Sequence, residues 1–268
     1  MNIRSFIQRH QLVSYFALAY GITWGGILVL LTSKGFRFAV MSEMQNVLVM
    51  FLFMALGPST SGITLTVALD GRAGLRELWM RLTRWRVGAR WWAIALLTIP
   101  ATTLAILTIL SAFIAPAFAP NFQIVGAMIG LIAGGFEEIG WTDFATPRLL
   151  KKHSALKAGF ILGGLWAIWH LLADFSGNIA AMGSAGWLLW FTVFWLLSLP
   201  AYRMLMTWVY TKTQSVFVAQ LMHASYTGWL FVFTPATTSF NQNLLWQAIF
   251  AASLWVIVVV VVFVNRRK

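Results

Sequence analysis

The strongest constraint on the fold of this chain is a series of eight apolar runs, each near the length of about 20 residues that a helix needs to cross a bilayer. The chain has 268 residues, of which 60% are hydrophobic and only 10% are charged. A soluble core of this size does not need so much apolar surface. The sequence therefore predicts an all-α, polytopic membrane helix bundle with about eight transmembrane helices. The predicted spans are 12–32, 47–69, 91–113, 123–142, 156–174, 187–209, 214–234 and 244–264.

The first apolar run superficially resembles a signal peptide, because "ALA" at 17–19 has the form of a cleavage site. Only five residues, Leu12 to Phe16, separate the polar N-terminal segment from that site, and the apolar run continues to Leu31. The apolar region of a signal peptide lies before its cleavage site and is longer than this. We therefore expect this run to be retained as the first span.

The net charge of +12 would suggest a nucleic-acid partner in a soluble protein, but here the basic residues lie between apolar runs. With eight spans they share one side of the membrane, including Arg203, which we place at the turn after span six; only Lys34 and Arg37 fall on the other side. Because cytoplasmic loops are enriched in Lys and Arg, we expect both termini to be cytoplasmic.

We expect the protein to lie in the plasma (inner) membrane, since the sequence shows no retrieval signal. The expected partners are membrane lipids, and no nucleic acid is expected.

Residues 70–90 combine six arginines with apolar residues at helical spacing. This pattern predicts an amphipathic helix that lies in the inner headgroup layer, and we interpret it as an anchor without chemistry. Its apolar positions are Leu75, Leu78, Trp79, Leu82 and Trp85.

We single out four ionisable residues inside predicted spans, where an ionisable group is costly and is therefore a functional candidate. Adjacent helical residues point about 100° apart, so the two carboxylates cannot address the same target: one can face a cavity while the next turn or a neighbouring helix holds the other. A glutamate with two histidines is sufficient to activate water in an apolar cavity, with or without a metal. The four candidates are Glu137, Glu138, His170 and His223.

Small residues near these candidates predict close helix packing. Gly134 and Gly135, one turn before the acidic pair, are expected to allow the close approach of another backbone. We interpret the serines of "GPSTSG" (57–62) as packing residues for the same reason.

The predicted depths of Glu137 and His170 conflict with a shared site if both helices are straight and upright. At about 1.5 Å per residue, His170 would lie about 20 Å along span five, near the outer third, whereas Glu137 would lie nearer the inner face. We therefore expect span four or span five to be tilted, displaced or broken.

Three motifs occur in a fixed order on three predicted helices: "EEIGWTDFATPRLL" (137–150), "WAIWH" (166–170) and "HASYT" (223–227). Together they resemble the CPBP family of intramembrane proteases, which comprises type II CAAX prenyl endopeptidases and bacteriocin-processing or self-immunity proteins. The resemblance covers about 120–230, which would be the catalytic core of a single membrane domain, 1–268. It implies a hydrolase that cleaves a peptide bond at or in the membrane, acting on a peptide or protein substrate that can be lipid-modified.

The resemblance also implies roles for individual residues. Glu137 would be the general base that activates water, and His170 would position that water or share its proton. His223 would donate to the oxyanion, helped by Thr227 one turn later. The family's first motif has Arg where this chain has Thr142, so Glu138 would either be protonated because of its burial or pair with Arg148.

Three alternatives remain open at this stage. Glu137, His170 and His223 could be zinc ligands of a metalloendopeptidase; we favour a site without metal or other cofactor, because no two of them share the tight helical spacing of known zinc motifs. Thr142 favours a non-catalytic immunity or binding protein of the same fold. A proton-coupled transporter could use Glu138 as its carrier, although the sequence shows no inverted repeat.

Overall fold

The computed structural model describes residues 2–37 and 44–266, and this part of the chain is helical without any β-strand. A short 3-10 turn, Pro116–Phe118, joins two of the helices. The helices, in chain order, are α1 (Ile3–Arg9), α2 (Gln11–Ser33), α3 (Met44–Leu82), α4 (Ala89–Phe113), α5 (Val125–Glu138), the π-helix π1 (Ile139–Ala145), α6 (Thr146–Leu150), α7 (Ala155–Trp169), α8 (Leu171–Phe191), the π-helix π2 (Thr192–Leu197), α9 (Ser198–Thr213), α10 (Val216–Phe233) and α11 (Phe240–Arg266).

The prediction of a polytopic helical membrane protein is confirmed. Among the described residues, six helical segments are long and apolar enough to cross a membrane. The predicted fourth span falls on α5, of 14 residues, followed by π1, and the predicted fifth falls largely on α7, of 15 residues. The count of eight spans therefore stays a prediction. The six segments are Gln11–Ser33, Met44–Leu82, Ala89–Phe113, Leu171–Thr213, Val216–Phe233 and Phe240–Asn265.

Glycine seams bring the central helices together. On α5, Gly126, Gly130 and Gly134 repeat every four residues, and a Cβ on any of them would collide with the backbone of α10. Because Gly126 faces the end of α10 and Gly134 faces Gln220 near its beginning, the two helices are antiparallel. Gly135 departs from the expectation, since the space around its Cα is open; its carbonyl instead accepts a hydrogen bond from Gln220 Nε2 at 2.6 Å.

A second seam joins α7 to α9. Gly159 lies against Met204, and Gly163 lies against Pro200, with the backbone or Cβ of Arg203 close to both glycines. Small residues at these two positions allow the helix backbones to approach closely. The seam thereby brings Arg203 of α9 beside α7.

Interruptions in the helices lie beside the candidate residues. The helix α5 passes into π1 directly after Glu138, and α7 ends at Trp169, so that His170 lies at the junction with α8. Both of the helices for which a tilt, displacement or break was expected are therefore interrupted. Directly after π1 and π2, a hydroxyl bonds back to the carbonyl five residues earlier, Thr146 to Trp141 at 2.8 Å and Ser198 to Val193 at 3.2 Å.

The predicted amphipathic segment forms the C-terminal part of α3. The helix is interrupted at Gly71, which adopts a left-handed φ of 59°, and it ends at Leu82, so the helical prediction for 70–90 holds only for its first part. Leu78 is buried against the protein, whereas Trp79 and Trp85 are exposed. The exposed indoles fit the expected position in a headgroup layer.

Two of the serines predicted to be packing residues, Ser59 and Ser61, are buried, and the Ser59 hydroxyl donates to the Ala55 carbonyl of its own helix at 2.9 Å. The glycines of the same segment contact neighbouring elements. Gly57 lies against Ala19 and Thr23 of α2, and Gly62 lies against Gly140 of π1.

Candidate functional site

Four charged or ionisable side chains from three helices meet inside the bundle. Helix α5 contributes Glu137 and Glu138, α9 contributes Arg203, and α10 contributes His223. All four are buried, and Glu138 and Arg203 have no exposed surface at all. Buried charges at this density require close pairing.

Glu138 is bound by three neighbours. Arg203 donates to it through both terminal nitrogens, from Nη1 to Oε2 at 2.7 Å and from Nη2 to Oε1 at 2.8 Å. His223 Nδ1 lies 2.7 Å from Oε1, and the Thr142 hydroxyl donates to Oε2. A bidentate guanidinium is the strongest common partner of a carboxylate, so Glu138 is neutralised in place.

The partner of Glu138 corrects two sequence expectations. Arg148 does not reach Glu138: it pairs with Asp70 at 3.0 Å, and its guanidinium lies 3.6 Å from the centre of the Phe144 ring. Arg203 does not lie at a turn but inside α9, where it supplies the cation that Thr142 cannot. The signal was present in the sequence, because position 203 falls within the predicted span 187–209, where a charged residue needs a partner.

Glu137 has a different environment. Its Oε2 accepts hydrogen bonds from two indoles, Trp141 Nε1 and Trp166 Nε1, each at 3.2 Å. His223 Nε2 lies 4.0 Å from the same oxygen. In the described part of the chain, Oε1 accepts no hydrogen bond. Glu137 therefore lacks the direct cationic partner that Glu138 has.

His223 stands between the two carboxylates. Because a carboxylate accepts, Nδ1 must carry the proton of the hydrogen bond to Glu138, which leaves Nε2 directed toward Glu137. The edge of the imidazole meets the Trp166 ring at a centroid distance of 4.7 Å. The orientation of His223 is thus fixed by Glu138 and by packing.

His170 is connected to the cluster through Trp166. Its Nδ1 donates to the Trp166 carbonyl at 2.8 Å, while the indole of the same tryptophan donates to Glu137. This bond fixes the neutral tautomer with the proton on Nδ1 and leaves Nε2 as an acceptor. The ring stacks on Trp195 at 3.8 Å and meets Trp169 edge to face.

One sequence candidate, Thr227, stands outside this network. Thr227 lies one turn after His223 on α10 and is half-buried, and its side chain makes no hydrogen bond with the residues that the structure describes. For the zinc alternative, residues 2–37 and 44–266 contain no group of three His, Cys, Asp or Glu side chains that could hold a metal ion. The Nδ1 atoms of both His170 and His223 are already engaged within the protein.

Residues that the sequence analysis did not single out complete the site. Trp166 contacts Glu137, His170 and His223, and the Arg203 guanidinium lies 4.2 Å from the centre of its ring. It belongs to the same helical stripe as His170, yet an indole carries no charge that would mark it out. The fully buried Tyr15 of α2 also packs against Trp141 and Phe144.

Comparisons with known proteins match the region of this network. The family model described as "Type II CAAX prenyl endopeptidase Rce1-like" matches residues 103–229, which include every member of the cluster. The protein named "CAAX prenyl protease 2" from Methanococcus maripaludis is 29% identical over 94 residues, which make up 35% of this chain and 35% of that relative. The matched segment thus spans about a third of the length of the curated relative.

Proposed function

We propose that this chain, a member of the CPBP family of membrane proteases, is an intramembrane endopeptidase in which Glu137 activates the water that cleaves a peptide bond. The observation that carries the proposal is the contrast within the acidic pair. Arg203 neutralises Glu138 directly, whereas Glu137 is held by two neutral indoles and faces His223 Nε2 at 4.0 Å. A carboxylate without a bound cation keeps its basicity for accepting a proton.

The proposed reaction follows from these positions. Glu137 takes one proton from water as the hydroxide oxygen bonds to the scissile carbonyl carbon, and the carbonyl becomes an oxyanion. His223 donates to that oxyanion from Nε2, with the Thr227 hydroxyl one turn further along α10. Donors of this kind typically contribute about 3–4 kcal/mol each. Collapse of the intermediate breaks the C–N bond, and the proton held by Glu137 passes to the leaving amine.

The donor role of His223 requires a proton on both ring nitrogens, because Nδ1 already donates to Glu138. We propose that this doubly protonated form acts. It pairs directly with Glu138, which Nδ1 contacts at 2.7 Å, while Glu137 stays 4.0 Å from Nε2 and is held by the two indoles.

We assign to His170 the positioning of the attacking water. The bond from Nδ1 to the Trp166 carbonyl leaves Nε2 as an acceptor for a water proton. Trp166 links this ring to Glu137, so the general base and the positioning group share one support.

We propose that the reaction needs no metal, and a chelator experiment tests this separately. Glu137, His170 and His223 would be the zinc ligands of the alternative, but among the described residues they do not form a group of three side chains that could hold a metal ion. Incubation with a chelator, followed by metal analysis of the purified protein, should leave activity unchanged and find no stoichiometric zinc. Loss of activity that zinc restores would favour the metalloendopeptidase.

The substrate class follows the name of the relative, which describes a protease of prenylated CAAX proteins. We propose a peptide with a C-terminal Cys-aliphatic-aliphatic-X sequence whose cysteine is prenylated. An internally quenched peptide of this type is the probe, and the same peptide without the prenyl group tests the need for the lipid.

The decisive experiment is Glu137→Gln in the purified, detergent-solubilised protein. The amide oxygen still accepts from both indoles, so the variant should stay folded while hydrolysis of the probe is lost. Glu77→Gln is the matched control, because the Glu77 side chain is 57% exposed and lies outside the cluster. Activity that survives in Glu137→Gln would reject the assignment of the base and would favour the binding or immunity protein of the same fold.

We also propose that both termini face the cytoplasm and that the protein lies in the plasma (inner) membrane. The chain contains no cysteine, so a single cysteine introduced in the loop at His153 reports its side of the membrane without background. Labelling by an impermeant maleimide should require permeabilised cells, and labelling of intact cells would reverse the orientation.

A further inference from the structure

A further buried carboxylate, that of Asp174, lies beside the candidate site and has no role in the reaction described above. Asp174 of α8 accepts four hydrogen bonds, and all four donors are neutral. Oδ1 receives Trp195 Nε1 at 2.8 Å, Asn178 Nδ2 at 3.1 Å and Trp190 Nε1 at 3.3 Å, while Oδ2 receives Trp187 Nε1 at 2.8 Å. Four N–H donors around two oxygens match the carboxylate form, which accepts hydrogen bonds and donates none.

The backbone brings these donors together by folding α8 back on itself. Gly183 interrupts the helix with φ 66° and ψ 170°, a conformation that strongly favours glycine. Asp174 and Asn178 precede this break, Trp187 and Trp190 follow it, and Trp195 lies in π2. Asp174 is therefore the point at which both halves of α8 and the π-helix are joined.

One of the four donors also contacts the candidate site. The Trp195 ring lies nearly parallel to the His170 imidazole, with centroids 3.8 Å apart and an interplanar angle of 19°. The other two indoles have different neighbours: Trp187 packs on Phe175 and Phe191, and Trp190 stacks on Phe194. The backbone N–H of Asp174 also donates to the His170 carbonyl at 2.8 Å. The Asp174 carboxylate reaches the His170 ring through Trp195, against which Phe194 packs with a centroid distance of 4.6 Å.

We infer that Asp174 is a positioning residue for His170: its carboxylate holds the Trp195 indole in the plane on which the His170 ring stacks. The backbone bond at Nδ1 fixes one point of the imidazole but leaves rotation about it open. Stacking on a fixed indole, with the Trp169 edge on another side, removes that freedom. The position of the His170 ring follows from these contacts alone. The inference depends on the proposed function only where it concerns the position of the reactive water.

The first test needs no activity. The protein has four histidines, so the ring protons of His170 can be assigned in an isotope-labelled sample by comparison with His170→Gln. Stacking places these protons over the Trp195 face, where its ring current shifts them upfield. Asp174→Leu keeps the backbone bond from residue 174 to the His170 carbonyl and removes only the carboxylate, so we expect it to reduce this shift. Asp174→Asn retains an acceptor oxygen and should keep most of it. An unchanged shift in Asp174→Leu would overturn the inference.

The second test compares two tryptophans that make equally short bonds to Asp174. Trp195→Leu removes both a donor and the stacked ring, while Trp187→Leu removes a donor of the same length without contacting His170. We expect Trp195→Leu to lower kcat on the prenylated probe by about 10²-fold, the scale of a small displacement of a reacting group. KM should change little, and Trp195→Phe, which keeps an aromatic face but loses the N–H donor to Asp174, should recover only part of the kcat.

The two tests separate a failed inference from a failed function. Equal losses of kcat in the two leucine variants, in proportion to their thermal stability, would mean that Asp174 only ties α8 together. If the wild-type protein does not hydrolyse the probe, the proposed function fails and the chemical shifts still decide the inference. If Asp174→Leu does not fold, the ring-proton shift is measured in Trp187→Leu and in Asp174→Asn instead. The inference requires that both variants retain the upfield shift.

Discussion

Each histidine of the candidate site is supported by a buried carboxylate, and the two carboxylates are stabilised in different ways. Glu138 contacts His223 and is neutralised by the guanidinium of Arg203. Asp174 supports His170 through Trp195 and is surrounded by indole and amide N–H groups, none of which carries a charge. The first negative charge is paired with a positive charge, whereas the second is solvated by dipoles. Removing the charge of Glu138 should therefore reduce stability much more than removing the charge of Asp174.

The largest effect is expected for Glu138→Gln. The substitution keeps the size of the side chain but leaves the fully buried Arg203 without a counter-ion. Breaking a buried ion pair in this way costs about 3–5 kcal/mol. Unfolding by SDS titration in mixed micelles, followed by circular dichroism, measures the loss.

Arg203→Met in the Glu138→Gln background distinguishes the charge from the packing. The double variant removes both charges, so it should recover a large part of the lost stability. Lys212→Met is the matched control on the same helix, because Lys212 is exposed near the end of α9. A double variant less stable than Glu138→Gln alone would show that the Arg203 stem and its stacking on Trp166 matter more than the pairing of charges.

Asp174→Asn should cost clearly less, about 1–2 kcal/mol, the difference between hydrogen bonds to a charged and to a neutral acceptor plus one poorly matched donor. No cation is left behind, because none of the four partners is charged. The same SDS titration compares it directly with Glu138→Gln. Equal losses in the two amide variants would remove the distinction between pairing by charge and solvation by dipoles.

The helical membrane bundle could be predicted because apolar runs of bilayer length leave few other folds open. The predicted candidates Glu137, Glu138 and His223 also lie together, because ionisable residues in apolar helices need partners. The i, i+4 spacing that places Thr142 beside Glu138 is a local property of a helix and is seen in the structure. The number of spans was harder to predict, since α5 and α7 are shorter than a bilayer crossing.

The sequence marks Arg203 as a charged residue inside a span, but it does not show that Glu138 is its partner, because the two lie on different helices. Arg148, which is close in sequence, was one of two alternatives for Glu138, but it lies beyond π1 and is engaged by Asp70 and Gln11. Arg203 is 65 residues away from Glu138, and its approach depends on the Gly159 and Gly163 seam between α7 and α9. The four donors of Asp174 likewise meet only because α8 folds back at Gly183. Such contacts depend on packing rather than on periodicity.

A smaller effect is expected at Thr142, which stands where the family's first motif has Arg. Thr142→Val removes one hydroxyl donor to Glu138 but leaves Arg203 and His223 bound. The loss should be about 1 kcal/mol, the net value of a single hydrogen bond. Thr142→Ser keeps the hydroxyl and is the matched control in the same titration. A loss in Thr142→Val close to that of Glu138→Gln would mean that the hydroxyl, rather than the guanidinium, is the main partner of the carboxylate.

The smallest effect is expected for an ion pair that water can reach. Asp70 pairs with Arg148 at 3.0 Å, as short as many buried pairs, but about half of the Asp70 side chain is exposed. Exposed pairs contribute about 0–1 kcal/mol and weaken with salt, so Asp70→Asn should lie at the low end of the series and its effect should shrink at high ionic strength. Arg148→Gln should cost more than Asp70→Asn, because it also loses the bond to Gln11 and the stacking on Phe144. The contrary result is that Asp70→Asn lowers the free energy of unfolding as much as Asp174→Asn does, with no dependence on salt. Burial would then not explain the ranking of these carboxylates by their effect on stability.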